Sequence, residues 1–115
     1  IPLAEFAERE RDRDILTHLI VRKTPMEISY QSMRNEAVDF PVVAVAAAKR
    51  QERLFVSVGA RPSRAKLVEA AAGESAGELA ARFTYGTNAR ASAEYRRHVA
   101  GVLIGRALKE IGEVK

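Results

Sequence analysis

Residues Asn88–Gly112 read NARASAEYRRHVAGVLIGRALKEIG, and this stretch decides the fold. Its apolar spacing predicts one long helix. Ser92 suits the N-cap, because its hydroxyl can accept a bond from a backbone N–H left unpaired at a helix start. Glu94 in the first turn complements the positive end of the helix dipole, and Lys109 complements the other end. At about 100° per residue, Tyr95, Val99, Val102 and Leu103 fall on one side. Ala100, Ile104, Ala107, Leu108 and Ile111 carry that surface round the cylinder. So wide an apolar arc predicts a helix wedged between two neighbours. The remaining strip holds Glu94, His98, Gly101, Gly105, Lys109 and Gly112. It reads as a thin solvent-facing line, although glycines four apart also permit close backbone approach.

Working back from this helix, Thr84–Asn88 is a loop containing Gly86, and Glu74–Phe83, ESAGELAARF, is a second helix. Ser63–Ala72, SRAKLVEAAA, is ambiguous, since alanine, lysine, leucine and glutamate favour helix. Val42–Ala48 and Arg53–Ala60 flank the charged turn Lys49–Glu52 and form a β-hairpin pattern. Leu54, Val56 and Val58 face one side of it; Phe55, Ser57 and Gly59 face the other. The alanines of the first strand leave room for a bulky neighbour, and the long helix is the natural one. Asp39-Phe40-Pro41 is a break, because the residue before proline is pushed out of the α region. Met26–Asn35 before it reads as a short helix or helical turn. Asp14–Lys23, DILTHLIVRK, alternates two largely apolar sets and reads as a strand ended by Thr24-Pro25. His18 within it reads as a packed or edge residue. Glu8–Arg13 is too charged for a core and reads as a loop, and Ile1–Ala7 as a cut point in a longer protein. Helices segregated from a mainly antiparallel sheet define an α+β fold. The expected form is an antiparallel sheet of roughly three to four strands packed against about three helices, the long C-terminal one included.

The chain has 115 residues and is 47% hydrophobic, enough for the core of one domain. It has no cysteine and two histidines, His18 and His98, with no ligand cluster around either, so no metal site is expected. No apolar run approaches the length of a bilayer span, and no leader pattern stands at the start. The expected setting is cytoplasmic, without a membrane. The net charge is +4 and the pI about 9.8. Yet ERERDRD at Glu8–Asp14 alternates in sign and compensates itself, and no aromatic sits within a basic cluster in an obvious stacking pattern, so nucleic acid is not the expected partner. There is no glycine-rich phosphate loop, HExxH or nucleophile elbow, and no catalytic residue is assigned. Glu36 and Asp39 read as solvated acids, and Arg34 with Asp39 as an internal ion pair.

Several stretches, in order, resemble one family: the C-terminal domain of the FAD-binding (medium) subunit of molybdenum hydroxylases. Its members include carbon monoxide dehydrogenase, xanthine dehydrogenase and hydroxybenzoyl-CoA reductase. IPLAEF at Ile1–Phe6 looks like the end of the preceding FAD-binding region, and Asp14–Val21 like the opening strand of the C-terminal domain. Tyr30, Arg34 and Asp39-Phe40-Pro41, within YQSMRNEAVDFPVVAVAAA, match its next signature. Val58-Gly59-Ala60 with Pro62 resembles the end of its central hairpin. Arg90–Arg97, RASAEYRR, then Val102-Leu103 and Arg106-Ala107-Leu108, match its closing helix. Ser32 stands where the family often has lysine, and Asn88 where it often has aspartate. Asn88 can cap or bond locally but cannot pair ionically with Arg90, which makes the final motif structural.

The resemblance implies a division at residue 13. Residues 1–13 would be a remnant of the FAD-binding region or a linker, and 14–115 the C-terminal-like domain. It implies a strand at Ser63–Ala70, against local propensity. It implies an accessory role in an oxidoreductase: the domain closes a flavin site beside the preceding FAD-binding domain, with molybdenum and iron–sulfur subunits as further partners. FAD would belong to the full-length subunit, and none is expected on the isolated chain. Tyr30, Ser32 and Arg34 are the implied flavin-edge contacts. Two other readings stand beside this one: a free-standing basic module for nucleic acid or an acidic protein, and an oligomerisation domain using the glycine strip.

Overall fold

A computed structural model describes residues 1–113 of the chain. The central hairpin joins β2 (Val43–Arg50) to β3 (Arg53–Gly59). Lys49 and Arg50 stay in the ladder, opposite Leu54 and Arg53, so the turn is only Gln51-Glu52, with Gln51 at φ 55°. A two-residue hairpin turn commonly needs such a positive φ to match the strand twist. Val43, Val45 and Ala47 of β2 and Val56 and Val58 of β3 are buried on one face. The expected facing of Leu54, Val56 and Val58 therefore holds. Ala44, Ala46 and Ala48 point to the opposite face, away from the long helix.

Two further strands complete an antiparallel four-stranded sheet in the order β1-β2-β3-β4. β4 is Lys66–Glu69; pairing with β3 overrides a helix-favouring composition. β1 is Glu27–Met33, running from Glu27 opposite Lys49 to Met33 opposite Val43. The helix expected over Met26–Asn35 is thus a strand. Its alternation is inverted, which hides it: the inward residues are Ser29 and Gln31, and the outward ones are Ile28 and Tyr30. Ser29 is buried because its hydroxyl donates to the Glu110 carboxylate on the last helix, and Gln31 donates to the same oxygen at 3.1 Å.

The helices are α1 (Leu3–Glu8), α2 (Ala76–Ala81) and α3 (Ala93–Glu110). α2 opens with a capping box: the Ser75 hydroxyl accepts from the Glu78 N–H, and the Glu78 carboxylate accepts from the Ser75 N–H. α3 is capped by Ser92, whose hydroxyl accepts from the Tyr95 N–H at 3.1 Å. It ends in a Schellman turn. Gly112 at φ 75° lets Glu113 N–H reach the Leu108 carbonyl and Gly112 N–H the Lys109 carbonyl.

α3 lies between the sheet and α2, wedged as its wide apolar arc predicts. The buried arc runs Arg96, Ala100, Leu103, Ile104, Ala107, Leu108 and Ile111. Tyr95 and Val102 lie outside it, 45% and 42% exposed. The strip faces solvent at Glu94, His98, Lys109 and Gly112, while Gly101 and Gly105 in its middle are half-buried beside α2. Cβ atoms placed on Gly101 and Gly105 would lie 3.8 and 3.7 Å from Ala80 and Ala76 of α2. Both are ordinary contact distances, so α2 packs beside the two glycines without requiring them.

The strand expected over Asp14–Lys23 is not formed. Residues 9–26 run as irregular chain, and Ile15, Leu16, Leu19, Ile20 and Val21 are exposed. A strand exists only when a neighbour pairs with it. Within the described residues nothing pairs with this segment.

Candidate functional site

With both main helices on one side, the sheet's other face is bare. Its cross-strand rows follow from the register. Ile28, Ala48, Phe55 and Glu69 form one; Tyr30, Ala46, Ser57 and Leu67 the next; Ser32, Ala44 and Gly59 the last. Small side chains thus floor the middle of the face, with Tyr30 at one margin and Leu67 at the other. Tyr30 is 60% exposed. At one corner the Arg53 guanidinium lies 5.0 Å from the Phe55 ring centre and makes a two-point contact with Glu69 at 2.7 and 2.8 Å. This pairing holds the Glu69 carboxyl below its ordinary pKa.

Of the three residues the resemblance implies, Tyr30 and Ser32 share this face, two apart on β1. Arg34 lies beyond the strand end, in the loop 34–41. The Arg34–Asp39 ion pair read from the sequence is not made. Arg34 donates instead to the Asp39 backbone carbonyl. The Asp39 carboxylate takes Arg90, with Nη2 at 2.8 Å and Nε at 3.2 and 3.3 Å. Hydrogen bonding from Arg90, then from the Phe40 N–H, lowers the Asp39 pKa. Arg90 also stacks 5.4 Å from the Phe40 ring centre. Arg34 and Arg90 thus both bond Asp39 of this loop, while Val38 and Phe40 stay exposed.

Two buried arginines tie the loop 84–88 behind this corner, and neither is paired with a carboxylate among the described residues. Arg96 is 1% exposed. It donates to the carbonyls of Val42 (3.0 Å) and Gly86 (2.9 Å) and to Asn88 Oδ1 (2.6 Å). Burial lowers its pKa. Arg61 donates to Thr84 and to the Arg64 carbonyl. Asn88 bonds locally, as expected of an asparagine there, since Oδ1 also accepts from the Arg90 N–H at 2.9 Å. Arg96 figures in the sequence only within the closing-helix motif, though it stands in phase with Ala100, Leu103 and Ala107. That spacing was the available signal.

The histidines stand apart from all this: His18 is exposed in the irregular segment and His98 is exposed beside a groove between α2 and α3. No described helix is long and apolar enough to cross a membrane. The fold and this face define the class: an α+β domain with a four-stranded antiparallel meander, backed by helices on one side and open on the other. Compared with protein-family models, curated proteins and solved structures, the chain gives no significant match.

Proposed function

We propose that this chain is an accessory domain of the flavoprotein subunit of a molybdenum, iron–sulfur and flavin oxidoreductase. In that role it packs on a FAD-binding domain and closes the flavin site. The observation that carries the reading is the bare sheet face. A floor of Ala44, Ala46, Ser57 and Gly59 beside the Tyr30 phenol and Ser32 hydroxyl is flat enough to meet a planar ring or the domain that holds it.

The family resemblance adds to this. Its scattered signatures are neighbours in space: Asp39 bonds Arg90, Asn35 bonds the Arg90 carbonyl, and Val42 bonds Arg96. The strand it implies after the hairpin is β4, which composition alone argues against. The role is one of shape. Tyr30 and Ser32 offer hydrogen-bonding groups at a flavin edge, and the domain excludes water from one side of the ring. The nucleic-acid alternative has no sequence motif behind it, and four of the nineteen cations, Lys49, Arg53, Arg82 and Arg90, are each taken by a carboxylate. The oligomer alternative has less support, since α2 of the same chain already lies beside Gly101 and Gly105.

The test is made in the reconstituted flavoprotein subunit. Tyr30→Ala and Arg34→Ala should change flavin affinity or reoxidation rate while the melting temperature stays put. Unchanged flavin content and reoxidation in both variants would remove the domain from the flavin site.

A further inference from the structure

We infer that the free edge of β1 pairs with β1 of a second copy of this chain, making one continuous sheet across a two-fold axis. The two edges of the sheet differ. β4 has only four residues, Lys66 and Glu69 among them, and α1 lies against it. Shortness, charge and cover are the usual protections of an edge. β1 has seven residues, Glu27–Met33, with no proline, no lysine and a single charge at its first position. β2 lies on one side of it, and no described strand lies on the other. Apart from the ladder with β2, no backbone group of residues 27–32 has a hydrogen-bond partner among the described residues.

The strand is complementary to itself. In an antiparallel pair centred on Tyr30, the two Tyr30 residues face each other and all seven positions of Glu27–Met33 find a partner. Any shift of register shortens the ladder. On the open face, Ile28 then lies opposite Ser32 of the other copy. On the helix side Ser29 lies opposite Gln31, a hydroxyl against an amide, and each keeps its bond to Glu110 of its own chain. Glu27 lies opposite Met33, one residue from Arg34 of the other copy. Neither Glu27 nor Arg34 is ion-paired among the described residues. The two-fold axis brings these opposite charges together twice, and opposite charges across a strand pair are favourable.

The pairing leaves the glycine strip of α3 unused and extends the open face. Tyr30 stands at the margin of that face in one chain and at its centre in the pair, where the second copy adds its own Tyr30. At roughly 3.3 Å per residue the ladder is about 23 Å long. That is a small interface, so half-association is expected between about 10 µM and 1 mM.

Sedimentation of the 115-residue chain over that range should show a mass rising towards twice 12.7 kDa. The chain has no cysteine, so Tyr30→Cys reads the register. Facing Cβ atoms in a strand pair lie about 4.5–5.5 Å apart, close to disulfide range. Under mild oxidation Tyr30→Cys should cross-link about tenfold faster than Leu67→Cys on the far margin. Ile28→Lys sets a lysine on the edge, and Glu27→Lys sets like charges side by side. Each should raise the dissociation constant about tenfold, with the melting temperature of the dilute chain unchanged. Glu27→Lys combined with Arg34→Glu should recover the association. A single-chain mass throughout, equal cross-linking by the two cysteines, or a dimer that both lysine variants leave intact would overturn the inference. So would slow hydrogen exchange of residues 27–33 and 15–21 together in the dilute chain, because the chain's own N-terminal run would then occupy the edge. None of these measurements involves flavin, so this inference and the proposed function fail separately.

Discussion

Arg96 Nε donates to the Val42 carbonyl across the core at 3.0 Å, joining the start of α3 to the residue before β2. The same guanidinium holds Gly86 and Asn88. One side chain thus ties the sheet, the 84–88 loop and the last helix together. Arg96→Met keeps similar bulk but takes the donor from the Val42 and Gly86 carbonyls, while Asn88 Oδ1 keeps the Arg90 N–H. Each unpaired buried acceptor costs about 1–3 kcal/mol, and Val42 is the most enclosed, so a loss of about 3 kcal/mol is expected. Urea unfolding measures it, and an unchanged midpoint would show that the network adds nothing.

The glycines separate into two kinds. A Cβ on Gly86 would lie 2.5 Å from Pro62 Cδ, so Gly86→Ala must push the two loops apart. Overpacking of this sort costs about 1–3 kcal/mol. Gly101→Ala and Gly105→Ala would instead meet α2 at ordinary contact distance. They should be neutral or add up to about 1 kcal/mol through helix propensity. Thermal melts of the three variants check the split, and a destabilised Gly105→Ala would contradict the spacing.

Leu103 is 4% exposed, while Tyr95 in the same helix is nearly half exposed. Leu103→Ala should cost about 2–5 kcal/mol, and Tyr95→Ala well under half of that. Equal losses in denaturant unfolding would place Tyr95 back in the core.

Acid should weaken the fold in a defined window. Asp39, Glu69 and Glu78 all have lowered pKa values, through Arg90, Arg53 and the Ser75 hydroxyl in that order. A carboxyl whose folded pKa is depressed contributes stability above its unfolded value of about 4, and that contribution disappears as pH falls through the folded value. Stability should therefore be level from neutrality to about pH 5 and drop below about pH 4. Asp39→Asn should flatten part of that drop, as followed by melting temperature against pH.

Ser32→Lys places a cation on the open face at the position where the resembled family often carries one. If the face meets a flavin, a nearby positive charge favours the anionic reduced forms and raises the midpoint potential. Redox titration of the reconstituted subunit reads the shift. An unmoved potential with intact fold would put Ser32 away from the ring.

Some of this protein is written in local sequence. α3 could be read because an eighteen-residue helix carries its own periodicity and its Ser92 cap, while the Gly112 turn that ends it is seen only in the structure. The β2–β3 hairpin could be read because its strands are neighbours in the chain and share a short turn. The class of fold followed from these two. Other features depend on groups far apart in sequence. β1 shows the difference: Ser29 and Gln31 face inward only because Glu110, some eighty residues later, receives them. Asp39 chose Arg90 over nearby Arg34, since the fold brings the more distant guanidinium into a two-point contact. The strip along α3 is solvent-facing at Glu94, His98 and Lys109, and only the tertiary structure sets α2 beside Gly101 and Gly105. Residues 15–21 have the pattern of a strand and no partner strand, because local sequence can set an alternation but hydrogen-bond partners come only from the assembled structure.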